Sequence, residues 1–393
     1  MPESPRFPSL ILNEAAAARV GRGHLWVFAN EVAKTEGTPV NGAEVAVLAP
    51  KGEYLGTGLY NKHALIAARL YTRRPEPFTA DFLRARIRTA VALRDQFVAG
   101  RNGRRLVFGE SDLLPGLIVD QYGPVLSIQL LTLAMDQRRD LVVDVLQELL
   151  SPLAIVERGD TPAREHEGLP QVKGVLRGAV PDGLTVDLEG LVFRANPLEG
   201  QKTGLYLDQV ENWRLMHQYA RGRRVLDLFS NVGGFGLNAA RAGAESVRMV
   251  DSSELALSEA MLNAAANGLA DRVRTRQSDA FQYVRSLPEQ FDLVVCDPPP
   301  FARSRKQLET ALRGYREVNR QCLKLLPAGG ILISCSCSAA LSDADFDKML
   351  AIAARDAGRM IRLLPGGAQP LDHAPLLSMP ETQYLKTRVV QVV

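Results

Sequence analysis

The chain has 393 residues, too many for one hydrophobic core, so two or three domains are expected. Its 46% hydrophobic and 23% charged content is that of a soluble globular protein, and no apolar run reaches the ~18 residues needed to span a bilayer. The net charge is only +3, and residues 1–74 alone carry an equal excess, nine basic against six acidic side chains, which favours nucleic-acid contact at that end over an evenly solvated surface. The stretch Met1–Pro5 lacks the basic and apolar regions of a secretory signal, so a cytoplasmic location and no membrane partner are expected. None of the four cysteines, Cys296, Cys322, Cys335 and Cys337, forms a C-x-x-C pair, which argues against zinc and against any other bound metal.

Residues 1–74 read as a small β-domain. Short alternating segments such as Glu44–Leu48 and Ile66–Leu70 stand between glycines, as in a small barrel. The run from Gly21 to Phe28 mixes basic and aromatic residues, and its Arg22 and Trp26 are candidates for RNA contact. Trp26 and Phe28 also read as core, and for Phe28 that reading is preferred. Together with the turn Gly56–Asn61, the segment resembles the PUA domain, an RNA-binding module of RNA-modifying enzymes.

Pro75–Pro77 reads as a linker, and residues 75–188 as an α+β middle domain. A helix is expected over Phe78–Gln96, strands at Leu117–Asp120 and Val125–Leu130, a helix over Asp136–Leu150, and strands at Ala154–Glu157 and Leu184–Leu188. Arg101, Arg104 and Arg105 read as phosphate contacts or as solvated surface.

Residues 189–393 read as a doubly wound α/β domain organised around Val225–Phe229 and the turn after it. A helix over 210–220 delivers the chain to that strand. The turn carries Phe229, Ser230, Gly233 and Gly234 but lacks the G-x-G-x-x-G spacing of a dinucleotide loop. Asp227 stands at the strand tip, where a pyrophosphate would be repelled. The expected ligand is therefore an adenosine without phosphates and with a cationic tail, and S-adenosyl-L-methionine fits. Asp251, 24 residues on, can accept from both ribose hydroxyls, with Ser252 beside it. Asp279 can accept the adenine amino group while Ala280 or Phe281 packs near the base, and Asp297 ends the fourth strand. Each aspartate is also readable as a helix N-cap; four at successive strand tips are not explained by caps alone.

The fourth strand ends in Asp297-Pro298-Pro299-Pro300-Phe301, and Pro298, Pro299 and Phe301 are expected to face the substrate. The fifth ends in Cys335-Ser336-Cys337-Ser338. A thiolate adding to C6 of cytosine makes C5 nucleophilic toward a methyl donor, and Asp297 is expected to stabilise charge moving to N3. Residues two apart on a strand point the same way, so geometry leaves Cys335 and Cys337 equivalent. A buried structural role suits Cys296 and Cys322.

Over nearly its whole length the chain resembles the RlmI-type 23S ribosomal RNA cytosine-5 methyltransferases. The resemblance rests on Val107–Leu117, Lys202-Thr203-Gly204 with Leu207-Asp208-Gln209, Gly233-Gly234-Phe235, Arg313-Gly314-Tyr315, Asp372-His373, Pro380-Glu381 and Tyr384-Leu385-Lys386. It implies that Ser336-Cys337-Ser338 is the nucleophile motif, with Cys337 attacking, and that Gln209 joins the cofactor site. Asn231-Val232 departs from the family's usual Tyr-Thr, and Pro300 from its usual lysine. The implied partner is large-subunit ribosomal RNA or an assembly intermediate, with a homodimer left open. The rival readings are a nitrogen-methylating enzyme on the same fold and an RNA-binding or assembly protein with a vestigial cofactor site.

Overall fold

A computed structural model describes residues 7–302 and 307–393. The Met1–Pro5 stretch, and with it Glu3, and Arg6 of the charge count lie outside them. The chain forms two compact units. The first comprises Met1–Val186, Ala195–Leu207 and Leu371–Thr382; the second comprises Asp187–Arg194, Asp208–Pro370 and Gln383–Val393.

The first unit contains two sheets. Six short strands make one of them, in the order Trp26–Phe28, Ile66–Thr72, Tyr54–Tyr60, Glu44–Leu48, Ser9–Leu12, Val32–Glu36. The inward residues Leu10, Leu12, Val27, Val45, Val47, Ala68 and Leu70 form its core. The other sheet has five strands, from Lys173–Gly178 at one edge to Gly103–Phe108 at the other. The helix Ala80–Phe97 covers it through Leu83, Ile87 and Ala90, one face at helical spacing. Thr79 caps this helix, accepting from the Phe82 N–H at 3.2 Å.

Three sequence expectations change here. The helix expected from Asp136 starts at Arg139, because Asp136 ends a separate turn, Leu133–Asp136, and pairs with Arg139 and Arg164. The strands Gly103–Phe108 and Lys173–Gly178 were not expected; the second is an edge strand with mostly exposed side chains and so lacks an apolar pattern. Arg105 is neither phosphate contact nor solvated surface: it is buried in a two-bonded pair with Asp120, at 2.8 and 2.9 Å.

The second unit is a seven-stranded sheet with helices packed on it. Its strands are β1 (Arg224–Leu228), β2 (Ser246–Asp251), β3 (Val273–Gln277), β4 (Leu293–Cys296), β5 (Ile331–Ser336), β6 (Ile361–Leu364) and β7 (Lys386–Val392). The order is β3-β2-β1-β4-β5-β7-β6. Strands β1 to β5 run parallel, and β7 is antiparallel to both β5 and β6. Every residue of β4 and β5 is buried, as expected of interior strands of a parallel sheet. The order reverses between β1 and β4, so the carboxyl ends of those strands flank the crevice where such sheets hold ligands. The helices are α1 (Gly234–Arg241), α2 (Glu254–Ala266), α3 (Ala280–Ser286), α4 (Leu308–Lys324) and α5 (Asp343–Asp356). Helices α4 and α5 bring Tyr315, Val318, Cys322, Phe346 and Met349 to the core. The single helix expected over 210–220 is two short ones, Val210–Trp213 and Leu215–Tyr219, because tighter three-residue bonds at Arg214 and His217 interrupt it.

Arg94 anchors the returning segment Leu371–Thr382 within the first unit. It is 1% exposed, donates to Asp112 Oδ1 at 2.6 Å and donates to the Asp372 carbonyl through Nε and Nη2. Arg94→Met should leave the Asp112 carboxylate buried without its cation and lower unfolding stability by about 3–5 kcal/mol, as read by urea denaturation.

Candidate cofactor and nucleophile site

The turn after β1 is backbone-constrained. Phe229, Asn231 and Gly233 all have left-handed conformations, with φ of 59°, 47° and 90°. Such conformations are costly for a bulky residue and persist where the surroundings hold them. Here the Ser230 N–H donates to the Val250 carbonyl, the Asn231 N–H to Asp251 Oδ2, and the Gly233 N–H to the Ser230 carbonyl. Asparagine tolerates this region better than most residues, which suits Asn231 to its place. A Cβ on Gly234 would stand 2.2 Å from the Trp213 ring, and one on Gly236 would stand 2.7 Å from Met249. These glycines let α1 pack closely enough for the Gly236 N–H to reach Asp227 Oδ2 at 2.8 Å.

Four aspartates lie at the carboxyl ends of adjacent strands. Asp227 is 1% exposed, and its Oδ1 has no hydrogen-bond partner among the described residues. Burial pushes its carboxyl well above the usual range; the Gly236 bond pulls back, and Asp297 and Asp251 add like-charge repulsion. Asp251 is half-buried and takes two backbone N–H groups, from Asn231 and Ser253, each at 2.9 Å. This fixes the carboxylate and leaves further acceptor capacity. Asp279 is exposed and does cap α3, accepting from the Gln282 N–H through Oδ1. Asp297, one residue past β4, is half-buried and accepts from Gln209 Nε2 at 3.0 Å, while Gln209 Oε1 accepts from Asn212 at 2.7 Å. Ser230 is buried, and its hydroxyl also has no partner among the described residues. Ala280 is buried at the start of α3, and Ser252 is exposed beside Asp251.

This donor set fits S-adenosylmethionine. The unpartnered oxygen of Asp227 suits the cationic amino group of the methionine tail. Asp251 suits the ribose hydroxyls, and the uncapped oxygen of Asp279 suits an amino donor.

Beyond β4, Pro298 is buried and Pro299 exposed. Phe301 packs on the protein itself, with ring centroids 4.5 Å from Tyr315 and 5.7 Å from Phe281. The two candidate cysteines are not equivalent, because β5 ends at Ser336. Cys335 is on the strand, fully buried, 3.5 Å from the Thr387 hydroxyl. Burial and Asp297 push its thiol well above the usual value. Cys337 is the first residue off the strand and is half-buried. The serines on either side of it are tied to one hydroxyl: Ser336 Oγ donates to Tyr315 OH at 3.0 Å, and Tyr315 OH lies 2.9 Å from Ser338 Oγ. Cys296 and Cys322 are buried, as a structural role requires. The sequence reading gave Tyr315, Asn212 and Lys386 no role. Tyr315 and Lys386 stood only in motifs of the family resemblance, and Asn212 had no signal.

In the first unit, Arg22 is exposed. Trp26 is half-buried: its Nε1–H donates to Glu110 at 2.8 Å, and the Arg69 guanidinium lies 5.1 Å from its ring. Among the described residues no cluster of His, Cys, Asp and Glu is arranged to hold a metal, and no helix is long and apolar enough to cross a membrane.

Residues 10–73 match the PUA-like domain family, and residues 172–364 match the S-adenosylmethionine-dependent methyltransferase family. A ribosomal RNA large subunit methyltransferase I of Shewanella amazonensis is 40% identical over 379 residues, covering 94% of this chain and 96% of the relative. The protein of that name from Photobacterium profundum is 38% identical, covering 96% and 98%. A solved S-adenosylmethionine-dependent methyltransferase from Streptococcus mutans superposes with a TM-score of 0.85 at 20% identity, over 98% of this chain and all of the other, so it shares the fold.

Two outcomes follow from the carboxylates. Asp251→Ala should weaken S-adenosylmethionine binding at least about tenfold by calorimetry, since hydrogen bonds to a charged group contribute ~1.5–3 kcal/mol each. Below its raised pKa, Asp227 is neutral, and a cationic ligand favours the ionised form. Binding should therefore release a proton and tighten as pH rises through that range, measured by calorimetry in buffers of different ionisation enthalpy; Asp227→Asn should abolish the release.

Proposed function

The chain belongs to the ribosomal RNA large subunit methyltransferase I family, and from that premise we propose that it transfers a methyl group from S-adenosylmethionine to C5 of a cytosine in 23S ribosomal RNA through a covalent cysteine adduct. One observation carries the choice of mechanism. A half-buried thiol, Cys337, stands just past β5 on the sheet edge that also bears Asp297, while the alternative thiol, Cys335, is sealed.

Bound S-adenosylmethionine supplies the electrophilic methyl group. The residues proposed to hold it are Gln209, Asp227, Phe229, Ser230, Gly233, Gly234, Asp251, Ser252, Asp279, Ala280 and Asp297. Cys337, as thiolate, forms a bond to C6, and the C5=C6 electron pair becomes available at C5. Asp297, protonated or through a water, takes up the charge that reaches N3. After C5 has gained its methyl, the C5 proton leaves, the C5=C6 bond re-forms and the S–C6 bond breaks, returning the thiolate. Pro298 and Pro299 line the substrate side. Phe301, packed on Tyr315 and Phe281, fixes the segment that follows them.

The proposed organisation is an RNA-binding PUA-like domain over 1–74, a middle domain over 75–188 and the methyltransferase domain over 189–393, acting in the cytoplasm on large-subunit RNA or an assembly intermediate. Of the two N-terminal candidates, Arg22 supports RNA contact better, because Trp26 already holds intramolecular partners.

Cys337→Ala should retain cofactor and RNA binding and lose methyl transfer, while Cys335→Ala keeps most activity. With 5-fluorocytosine at the target the C5 substituent cannot leave as a proton, so the wild-type enzyme should be trapped on RNA and the Cys337 variant should not. Normal methylation by both variants would favour the nitrogen-methylating rival, and absence of cofactor binding the vestigial one. Arg22→Ala should weaken RNA binding and reduce the salt slope by about one; an unchanged slope would remove Arg22 from the interface.

A further inference from the structure

Lys386 opens β7 and is 3% exposed. Its ammonium donates to two carbonyls, of Ser338 at 3.0 Å and of Tyr384 at 3.1 Å. Both acceptors are neutral, and among the described residues no carboxylate forms an ion pair with it. The nearest acidic influence, Asp343 at the start of α5, is itself paired with Arg388 at 2.7 Å. A buried cation without an anion is costly, and proteins tolerate it where a negative charge completes the site.

The register across β5 and β7 shows where that charge would stand. Lys386 is directly opposite Ser336, and its ammonium holds the carbonyl of Ser338. Cys337 lies between those two residues, close enough that a thiolate there would raise the pKa of Lys386. The Tyr315 hydroxyl ties the flanking serine side chains, so the thiol is carried on a loop pinned from α4 and from β7.

We propose that Lys386 is the cation that stabilises the Cys337 thiolate, and that Tyr315 positions the loop presenting it. The proposal deepens the covalent-cysteine reading and rests on it. It supplies what that reading lacked, since an ordinary cysteine with a pKa of ~8.5 is only slightly ionised at neutral pH. The ammonium keeps its three protons, and the thiol proton passes to solvent before attack. The charges facing the pair are Asp343 from α5, Arg388 from β7, and Asp297 past β4, which bears on the adjacent Cys335. Burial and Arg388 push Lys386 below its ordinary value, while Asp343 and the Cys337 thiolate push it back up. Ion pairing with the thiolate therefore favours both charged forms together.

The test is the pH dependence of Cys337 alkylation by iodoacetamide in the full-length enzyme, read by mass spectrometry of the Cys337 peptide. The wild-type midpoint should lie below ~8.5. Lys386→Met should raise it by at least about one unit, making alkylation about tenfold slower at neutral pH. Lys386→Arg should keep it low, and Tyr315→Phe should lower kcat without changing S-adenosylmethionine affinity. A wild-type midpoint at or above ~8.5 overturns the proposal even if Lys386→Met does not fold. Equal midpoints in wild type and a folded Lys386→Met enzyme also overturn it. A Cys337→Ala enzyme that still methylates overturns the covalent reading itself. If Cys337→Ala is inactive while the wild-type Cys337 midpoint is ordinary, the role of Lys386 alone is removed.

Discussion

The hydrogen bond from the Gly236 N–H to Asp227 sets the geometry on which the second unit's site depends. It places α1 close against its neighbours, where a Cβ at 236 would meet Met249 of β2 and the Asp227 carboxylate, and one at 234 the Trp213 ring. The bond occupies one carboxylate oxygen and leaves the other buried without a partner among the described residues. A buried acceptor in that state is stable when neutral, or when a cation completes it. The chemistry of the missing partner is thus written into the fold before any ligand is considered: positive, hydrogen-bonding and small at that end. The left-handed residues between Phe229 and Gly233 lead from β1 into α1 and deliver N–H groups to Asp251, to the Val250 carbonyl and to the turn itself.

A second charge imbalance lies further along the same edge of the sheet. Lys386 is a cation without a carboxylate, as Asp227 is a carboxyl without a cation. Each group is held by neutral backbone dipoles, and in the proposed mechanism each is completed by a reacting or bound species. The loop between β5 and α5 is held by hydroxyls and carbonyls instead of apolar packing alone. Such a loop positions a thiol narrowly while leaving it partly open, which a residue on the buried strand cannot be. Cys335 illustrates the contrast at a distance of two residues.

Much of this was readable from sequence. The central strand β1 announces itself as an apolar run with an aspartate near its end, followed by a glycine turn. Asp279 caps α3 through one oxygen, so the adenine contact proposed for it would fall to the other. What stayed hidden depends on contacts between distant positions. The end of β5 at Ser336 is set by pairing with β7, some fifty residues on, so alternation alone could not separate Cys335 from Cys337. Lysine is seldom buried, and nothing local marks Lys386 as an exception. Arg105 read as phosphate contact or solvated surface because its partner Asp120 stands opposite it on the neighbouring strand, outside its own stretch of sequence.

The central claim, methyl transfer to cytosine C5 by way of Cys337, is tested most directly by mass mapping of 23S ribosomal RNA. The RNA would come from a deletion strain, the same strain carrying the wild-type chain, and the same strain carrying Cys337→Ala. The account expects one 5-methylcytosine to be absent in the deletion strain, restored by the wild-type chain and still absent with Cys337→Ala. Loss and recovery of a methylated guanine or adenine instead, or restoration of 5-methylcytosine by Cys337→Ala, would contradict it.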